Sequence, residues 1–181
     1  MSRGLNPASP LARLMAGPIR PGHVTWIGLR PRRHAPLVAL DTIEITREAG
    51  VIGDHYSGRP EADGKGGKRQ ATLIQAEDLA AIASYLGREV TPFDLRRNIV
   101  VSGVNLRALK GRRFRVGEVV LEDTGDCHPC SRMETILGPG GYNAVRGHGG
   151  ITARVLEGGK VRVGDAVSAL PPAQLLLFDT L

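Results

Sequence analysis

The sequence predicts a mostly β fold of the α+β class, in which strands form a barrel and one or two helices are attached to it. The chain has 181 residues, with at least six short runs of β character and a single clear amphipathic helix. Its 24 glycines fall between those runs, so tight turns are expected between strands. No internal repeat of solenoid or propeller length is present, and one domain with its own core is expected.

The first part of the chain is predicted to contain an arm, two strands and a long loop. Residues 1–21 are interpreted as a loosely ordered N-terminal arm. The run His23–Arg30 is rich in β-branched and aromatic residues, which predicts a first strand. The alternation of apolar and polar residues over 43–46 predicts a half-buried strand. The polar stretch Gly53–Gln70 predicts a loop of the length that is usually functional or disordered.

The rest of the chain predicts one helix among short strands. The run at 71–75 predicts a strand, and residues 76–87 predict a helix with one apolar face, acidic residues in its first turn and glycine at its end. Further strands are predicted over 99–103, 112–117, 118–125, 151–159 and 160–170. These bounds predict a domain over 22–170 and a C-terminal tail over 171–181, which begins at a Pro-Pro pair.

The charge of the chain favours an anionic partner. The net charge is +6, and arginines cluster in "RPRR", "LRRN" and "GRRFR". A solvated basic surface would account for any one of these clusters. Aromatic residues make up only 4% of the chain, which leaves few platforms for stacking nucleic-acid bases, and no helix-turn-helix or zinc-finger pattern is present. A phosphate-bearing small molecule suits the charge equally well.

The sequence predicts a cytoplasmic protein without a membrane partner. No apolar run approaches the roughly 18 residues that a membrane span needs. The only two cysteines, Cys127 and Cys130, lie close together and do not form the disulfide framework of a small secreted domain.

The pair Cys127-His128-Pro129-Cys130 has three interpretations from its residues alone. A dithiol redox motif normally opens a helix in a βαβ unit, which the β-rich context lacks. A structural zinc site needs four ligands, so His55, His128 or His148 would have to complete it, and no second ligand pair has zinc-finger spacing. The third interpretation is two incidental loop thiols.

Two glycine- or arginine-containing segments are candidate anion sites. The segment "RGHGG" contains Arg146, His148 and Gly149, and "LRRN" contains Arg96, Arg97 and Asn98. Glycines allow backbone N–H groups to approach an anion, and arginine binds phosphate through two parallel hydrogen bonds. Ordinary turns are the alternative for both segments. The pair Asp54-His55 is a weak signal for an orienting contact or a metal ligand.

Taken in order, the motifs resemble a MOSC domain, the C-terminal domain of molybdenum cofactor sulfurases. The resemblance extends from about Gly22 to Leu170, and its motifs are specific through their order and spacing. Stand-alone bacterial proteins, the branch that this chain resembles, and mitochondrial amidoxime-reducing proteins share this domain. The motifs are "VIGDHYSG", "KRQATLIQAEDL", "FDLRRNIVVSGVNL", "VGEVVLEDTGDCHPCSRME" and "RGHGGITARVLEGGKVRVGDAV".

The resemblance implies a barrel fold, the molybdenum cofactor (molybdopterin) and a cysteine that ligates molybdenum beside two pterin dithiolene sulfurs. The match falls on Cys130, because many relatives have Arg-x-Pro-Cys where this chain has Cys127-His128-Pro129-Cys130. Cys127 and His148 are further catalytic candidates beside Cys130. His148 is a candidate proton donor, and His128 and His55 are the alternatives for that role. The resemblance also implies a link to pyridoxal phosphate, which the sulfurase parent uses in another domain, but no lysine motif in this chain requires it. The residues that the resemblance places at the cofactor are Arg69, Gln70, Arg96, Asn98, Arg146 and Gly149.

The motifs and the C-terminal tail lead to three hypotheses for the function. The first is reduction of an N-hydroxylated or N-oxide small molecule at the cofactor, with an electron-donor protein as partner. The second is a sulfur carrier that holds a persulfide on Cys130, with Cys127 as resolving thiol. The third is docking through "QLLLF", Gln174–Phe178, which resembles the peptide by which bacterial proteins bind the DNA polymerase sliding clamp; folding back onto the barrel or a dimer contact is the alternative.

Overall fold

The computed structural model describes residues 6, 8–57 and 67–171, and within them the chain is a strand barrel with short helices. The strands are β1 Gly22–Leu29, β2 Val38–Leu40, β3 Thr42–Thr46, β4 Gly50–Val51, β5 Ala71–Gln75, β6 Ile99–Ser102, β7 Arg113–Val116, β8 Val119–Asp126, β9 Ile151–Glu157, β10 Gly159–Arg162 and β11 Ala166–Ala169. The α-helices are α1 Pro10–Met15, α2 Ala76–Leu86, α3 Pro92–Leu95, α4 Ser131–Leu137 and α5 Gly141–Val145, with a 3-10 turn over Leu106–Leu109.

Seven of the strands close into a barrel. Their order is β1-β6-β5-β9-β8-β7-β11, and β11 pairs again with β1. The β5–β6 pair is parallel and the other pairs are antiparallel, so the sheet is mixed. β2 extends the outer edge of β1, and β10, β3 and β4 form a separate three-stranded sheet. The predicted barrel is therefore confirmed.

Two apolar clusters fill the fold on either side of the barrel wall. The interior cluster includes Leu73, Ile99 and Phe114. The outer cluster lies under the helices and includes Ile74 and Val100 from the wall. Adjacent residues of β5, Leu73 and Ile74, thus point to opposite sides and are both buried. This explains why the sequences of β5 and β6 read as nearly continuous apolar runs.

The helix predicted over 76–87 is confirmed as α2, which ends at Gly87 in the left-handed conformation (φ +64°). The structure adds four α-helices of four to seven residues in the described part of the chain. The strand predicted over 160–170 is divided between β10 and β11, which belong to different sheets. In the described residues no helix is long and apolar enough to cross a membrane.

Candidate functional site

The chain forms a cleft where several strand ends meet at one end of the barrel. The end of β1 contributes Arg30, the segment before β5 contributes Arg69 and Gln70, and the segment between α3 and β6 contributes Arg96 and its neighbours. The loop from β8 to α4 and the first turn of α4 line the cleft with Cys127, His128, Cys130, Arg132 and Met133. The cavity measures about 270 Å³, just below the range of about 300–1,000 Å³ that is typical of ligand pockets.

Both cysteines line this cleft as free thiols. Cys130 is exposed and immediately precedes α4, whereas Cys127 is half-buried. The Cys127 N–H donates to the Gly150 carbonyl oxygen at 2.8 Å, and the Cys130 carbonyl accepts from the Met133 N–H at 2.8 Å. The backbone of the loop is therefore anchored at both cysteines, which holds the Cys130 thiol at the mouth of the cleft.

Arg97 and Gly149 contact the backbone carbonyl of Cys127. The buried Arg97 guanidinium donates from Nε to the Gly149 carbonyl at 2.8 Å, and its Nη2 lies 3.5 Å from the Cys127 carbonyl. A Cβ atom on Gly149 would lie 2.0 Å from that same Cys127 oxygen, so the two backbones can meet only because residue 149 is glycine. Gly149, predicted to bind cofactor, here contacts the cysteine loop through its backbone.

Four further arginines make the cleft cationic: Arg30, Arg69, Arg96 and Arg132. Burial lowers the pKa of Arg96, and the neighbouring Arg30 and Arg132 charges lower it further. Arg96 also has a left-handed backbone (φ +61°), which is uncommon for a residue with a side chain. The cleft is therefore suited to an anion.

Asp54 is the one acidic residue among the described residues that line the cleft. Its buried carboxylate accepts the Arg30 and Tyr56 backbone N–H groups, each at 3.0 Å, and the Asn98 Nδ2 at 3.1 Å, and His55 Nδ1 lies 3.0 Å away. Its ion pair with Arg30 is long, with 3.9 Å between the Asp54 Oδ2 and the Arg30 Nε. Burial lowers the pKa of Arg30, which the Asp54 charge partly opposes. Asp54 thus fastens the loop after β4 and offsets only part of the positive charge that the arginines of the cleft carry.

Two of the predicted cofactor residues, Asn98 and Gln70, use their side-chain amides for hydrogen bonds within the protein. The Asn98 Oδ1 accepts from Thr72, and its Nδ2 donates to Asp54 and to the Gly28 carbonyl. The Gln70 Nε2 donates to the Arg47 carbonyl at 2.6 Å, and its Oε1 accepts from the Val155 N–H at 2.9 Å. Both side chains are buried and join the strands that form the cleft wall.

Two other predicted residues lie outside the cleft. His148 lines a separate cavity; its Nδ1 is 2.7 Å from the Asp78 Oδ1, and its Nε2 is 3.3 Å from the Tyr85 hydroxyl. Arg146 is exposed, with a 3.5 Å contact to the Asn143 side chain. Of the three histidines considered as proton donors, His128 is the one that lines the cleft.

The cleft also contains arginines that the sequence did not single out as site residues. Arg30 has no signal beyond its place in the basic cluster "RPRR", and Arg132 has none beyond its place two residues after Cys130, whereas Arg97 belongs to the candidate anion segment "LRRN". In the described parts of the chain, no group of three or more His, Cys, Asp or Glu side chains is arranged to hold a metal ion.

Comparison with known proteins identifies the family. Residues 53–168 match the MOSC domain. The chain belongs to the MOSC domain family. The structure of the YuaD protein from Bacillus subtilis aligns with 82% of this chain and 95% of its own, with a TM-score of 0.70 and 21% identity. YiiM from Escherichia coli aligns over 86% of this chain and 71% of its own, with a TM-score of 0.60 and 17% identity.

YiiM from Geobacillus stearothermophilus shows a similar relation, with 82% of this chain and 73% of its own aligned, a TM-score of 0.52 and 17% identity. At these identities the likeness establishes the fold. A search of curated proteins gives no match.

The MOSC family is associated with binding of the molybdenum cofactor, and the residues of the cleft fit that group. The exposed Cys130 thiol is a soft ligand of the kind that a metal–sulfur centre accepts. The arginines suit a pterin phosphate. The Nε–H groups of Arg30 and Arg132 are shielded from water and have no hydrogen-bond partner within the described structure. Lysine, which forms the Schiff base with pyridoxal phosphate, is absent from the described lining.

Proposed function

We propose that this MOSC protein binds the molybdenum cofactor in the cleft, with the Cys130 thiolate as the protein ligand of molybdenum, and reduces N-hydroxylated or N-oxide small molecules. The observation that carries the proposal is the position of the exposed Cys130 thiol at a cleft lined by Arg30, Arg69, Arg96 and Arg132. A soft ligand and a concentration of cations in one cavity match the two ends of the cofactor, its metal–sulfur centre and its phosphate.

The residues of the chain have separable roles in this proposal. Arg69 and Arg96 hold the phosphate, because neither guanidinium makes a described hydrogen bond within the protein and both residues line the cleft. Asn98 and Gln70 hold the wall in shape through their internal hydrogen bonds. His128 is exposed between the two cysteines, and its imidazole is the candidate proton donor of the cleft.

The reaction removes one oxygen from the substrate. The cofactor, when bound, supplies two electrons at the metal, which an electron-donor protein restores. In the overall balance, an N–OH compound takes up two electrons and two protons, its N–O bond breaks, and the products are the N–H compound and water. His128 places one of those protons on the departing oxygen, while Cys130 and the arginines keep the cofactor at the mouth of the cleft.

The molybdenum content of the protein tests the proposal. Wild type and the variants Cys130→Ser and Cys127→Ser would be expressed in cells with intact cofactor synthesis, and molybdenum per chain would be measured by mass spectrometry. We expect close to one molybdenum per chain in wild type and at least a tenfold loss in Cys130→Ser, since serine replaces the soft ligand. Wild type without molybdenum, or full retention in Cys130→Ser, would contradict the proposal.

A second candidate function is sulfur transfer, which is favoured by the presence of both free thiols in one cleft. A persulfide donor would leave its outer sulfur on Cys130, and an acceptor thiolate or metal–sulfur centre would take it. If no acceptor is present, the Cys127 thiolate attacks the Cys130 sulfur, forming a disulfide and releasing hydrosulfide. Intact mass of freshly purified protein tests this. An addition of about 32 Da that reduction removes, present in Cys127→Ser and absent in Cys130→Ser, is the expected result.

The clamp-docking prediction for Gln174–Phe178 lies outside the described residues and remains a proposal. It is supported by the run of apolar residues in "QLLLF". A pull-down with purified sliding clamp, using the full chain and a chain lacking its last eight residues, tests it. Equal capture of both chains would exclude the peptide as the docking element.

A further inference from the structure

Arg132, which lines the cleft, is contacted by a basic loop that lies outside the cleft lining. Arg33 and His34 belong to the loop after β1, and Arg132 belongs to α4; we call these three residues the rim cluster. The Arg132 Nη1 contacts the His34 Nδ1, which joins the loop to the helix. His34 has a left-handed backbone (φ +70°), uncommon for a residue with a side chain. The contact links residues 98 positions apart at the entrance of the cavity.

The rim cluster has an excess of positive charge. Arg132 lowers the pKa of His34 most, followed by burial and by the charges of Arg33 and Arg96. None of the causes of this shift is a carboxylate. The described ion pairs of the chain likewise include neither Arg33 nor Arg132. Cations that repel one another in this way are stabilised when an anion binds between them.

Unused hydrogen-bond donors point to the same conclusion. The Arg132 Nε–H is shielded from water and has no acceptor within the described structure, and the same holds for the Arg30 Nε–H deeper in the cleft. A buried donor without an acceptor is unfavourable, and a ligand with an acceptor oxygen at this position would remove that cost. A phosphoryl group offers several acceptor oxygens and the negative charge that the rim cluster lacks.

We propose that the rim cluster is a second phosphate subsite, separate from the position of the cofactor phosphate at Arg69 and Arg96. The inference rests on the proposed function for the assignment of that inner position. The ligand class is a phosphate ester that extends out of the cleft. The phosphoryl group belongs either to the substrate, which would then be a phosphorylated N-hydroxy compound, or to a nucleotide attached to the cofactor. Arg132 binds it from the inner side, Arg33 binds it from the solvent side, and His34 sets the orientation of Arg132.

Binding of inorganic pyrophosphate tests the subsite directly. Titration calorimetry at constant ionic strength would compare wild type with Arg33→Gln, Arg132→Gln and the control Arg146→Gln, which removes the same charge from an exposed site outside the cleft. We expect the Kd to rise about threefold in Arg33→Gln and at least about tenfold in Arg132→Gln, where a buried charge-assisted hydrogen bond is lost. Arg146→Gln should stay within twofold of wild type.

A second measurement keeps the proposal testable if Arg132→Gln unfolds. The His34 imidazole can be titrated by NMR with and without pyrophosphate, and bound anion should raise its pKa because it opposes the Arg132 charge. Equal pyrophosphate affinity in wild type and Arg33→Gln, together with an unchanged His34 titration, would refute the subsite. Molybdenum per chain is measured on the same samples, so loss of the cofactor and loss of the rim cluster are distinguishable.

The source of the phosphoryl group is decided with molybdenum-loaded protein. If the substrate supplies it, loaded protein still binds added pyrophosphate and releases no nucleotide on acid denaturation. If the cofactor supplies it, loaded protein binds no added pyrophosphate and releases one nucleotide per molybdenum. Both results support the rim cluster as a phosphate site. Failure of loaded and unloaded protein alike to bind pyrophosphate, without release of nucleotide, overturns it.

Discussion

Replacement of Gly149 by alanine should test whether the backbone contact behind Cys127 shapes the site. The added Cβ would lie 2.0 Å from the Cys127 carbonyl oxygen, 3.2 Å from its carbonyl carbon and 3.4 Å from the Arg97 Nη2. A shift of more than about 1 Å is needed to restore an ordinary carbon–oxygen contact. Neither side moves freely, because the Cys127 N–H is bonded to Gly150 and Arg97 is bonded to Gly149.

The expected loss of stability follows from this geometry. Overpacking in a rigid site costs about 1–3 kcal/mol, and we expect the upper end because both partners are backbone. For a domain of this size, that corresponds to a fall in Tm of about 6–12 °C. The backbone φ of Gly149 is not in the left-handed region, so the cost is steric and not conformational.

Thermal and urea unfolding would be measured for Gly149→Ala and for Gly111→Ala. Gly111 has a left-handed backbone (φ +68°) with no atom within 4 Å of an added Cβ, so its substitution carries only the conformational cost of about 1 kcal/mol. Molybdenum per chain, measured on both variants, should fall in Gly149→Ala alone, because the displaced loop carries Cys130. A Gly149→Ala protein as stable as wild type, with full metal content, would refute the reasoning.

Three further predictions concern Asp54, Glu77 and His148. Asp54→Ala should lower the free energy of unfolding by about 3 kcal/mol in urea, since it leaves buried donors without an acceptor; a change below about 1 kcal/mol would contradict the role of Asp54 in fastening the loop. Burial raises the pKa of Glu77, but hydrogen bonds from the Gly103 N–H and the Ser102 hydroxyl outweigh this and hold the pKa below its usual range. The carboxylate of Glu77 therefore stabilises the folded state above the unfolded-state pKa, and this stabilisation is lost as the pH falls through the folded-state pKa. Glu77→Gln should thus flatten the acid side of the curve of stability against pH. An unchanged curve would contradict this role of Glu77. His148→Gln should leave molybdenum content unchanged, because His148 lies outside the cleft; loss of metal there would show that the two cavities are coupled.

Local sequence pattern was sufficient for the barrel and for α2. Strand β5 and helix α2 have periodicities, lengths and end residues that depend on neighbours in the chain. Helix α4 could not be predicted in this way, because its seven residues are too few to show a helical period. The division of 160–170 into β10 and β11 depends on which strands they pair with, and pairing partners are distant in sequence.

The site was predictable where the motifs lie on the cleft and unpredictable where long-range contacts decide. Cys130, Cys127, Arg69 and Arg96 were expected near one another, and the structure places all four on one cavity. The Gln70 side chain accepts a hydrogen bond from the Val155 N–H, 85 residues away. This contact depends on how the strands of the barrel pair, so no local sequence pattern predicts it. The same is true of Arg30 and Arg132, which the barrel brings to one cleft across 102 positions of sequence. The contact of His148 with Asp78 likewise spans 70 residues.

The contacts at Cys127 bear on the difference between metal ligation and sulfur transfer. The described hydrogen bonds of residue 127 are made by its backbone: the N–H donates to the Gly150 carbonyl, and the carbonyl accepts from Arg97 beside Gly149. Replacement of the thiol by a hydroxyl should therefore leave the loop, and the position of Cys130, unchanged. In Cys127→Ser, full molybdenum content and full reductase activity would mean that Cys130 acts alone as a ligand. A stable Cys130 persulfide that no longer releases hydrosulfide would instead assign the resolving role to the Cys127 thiol.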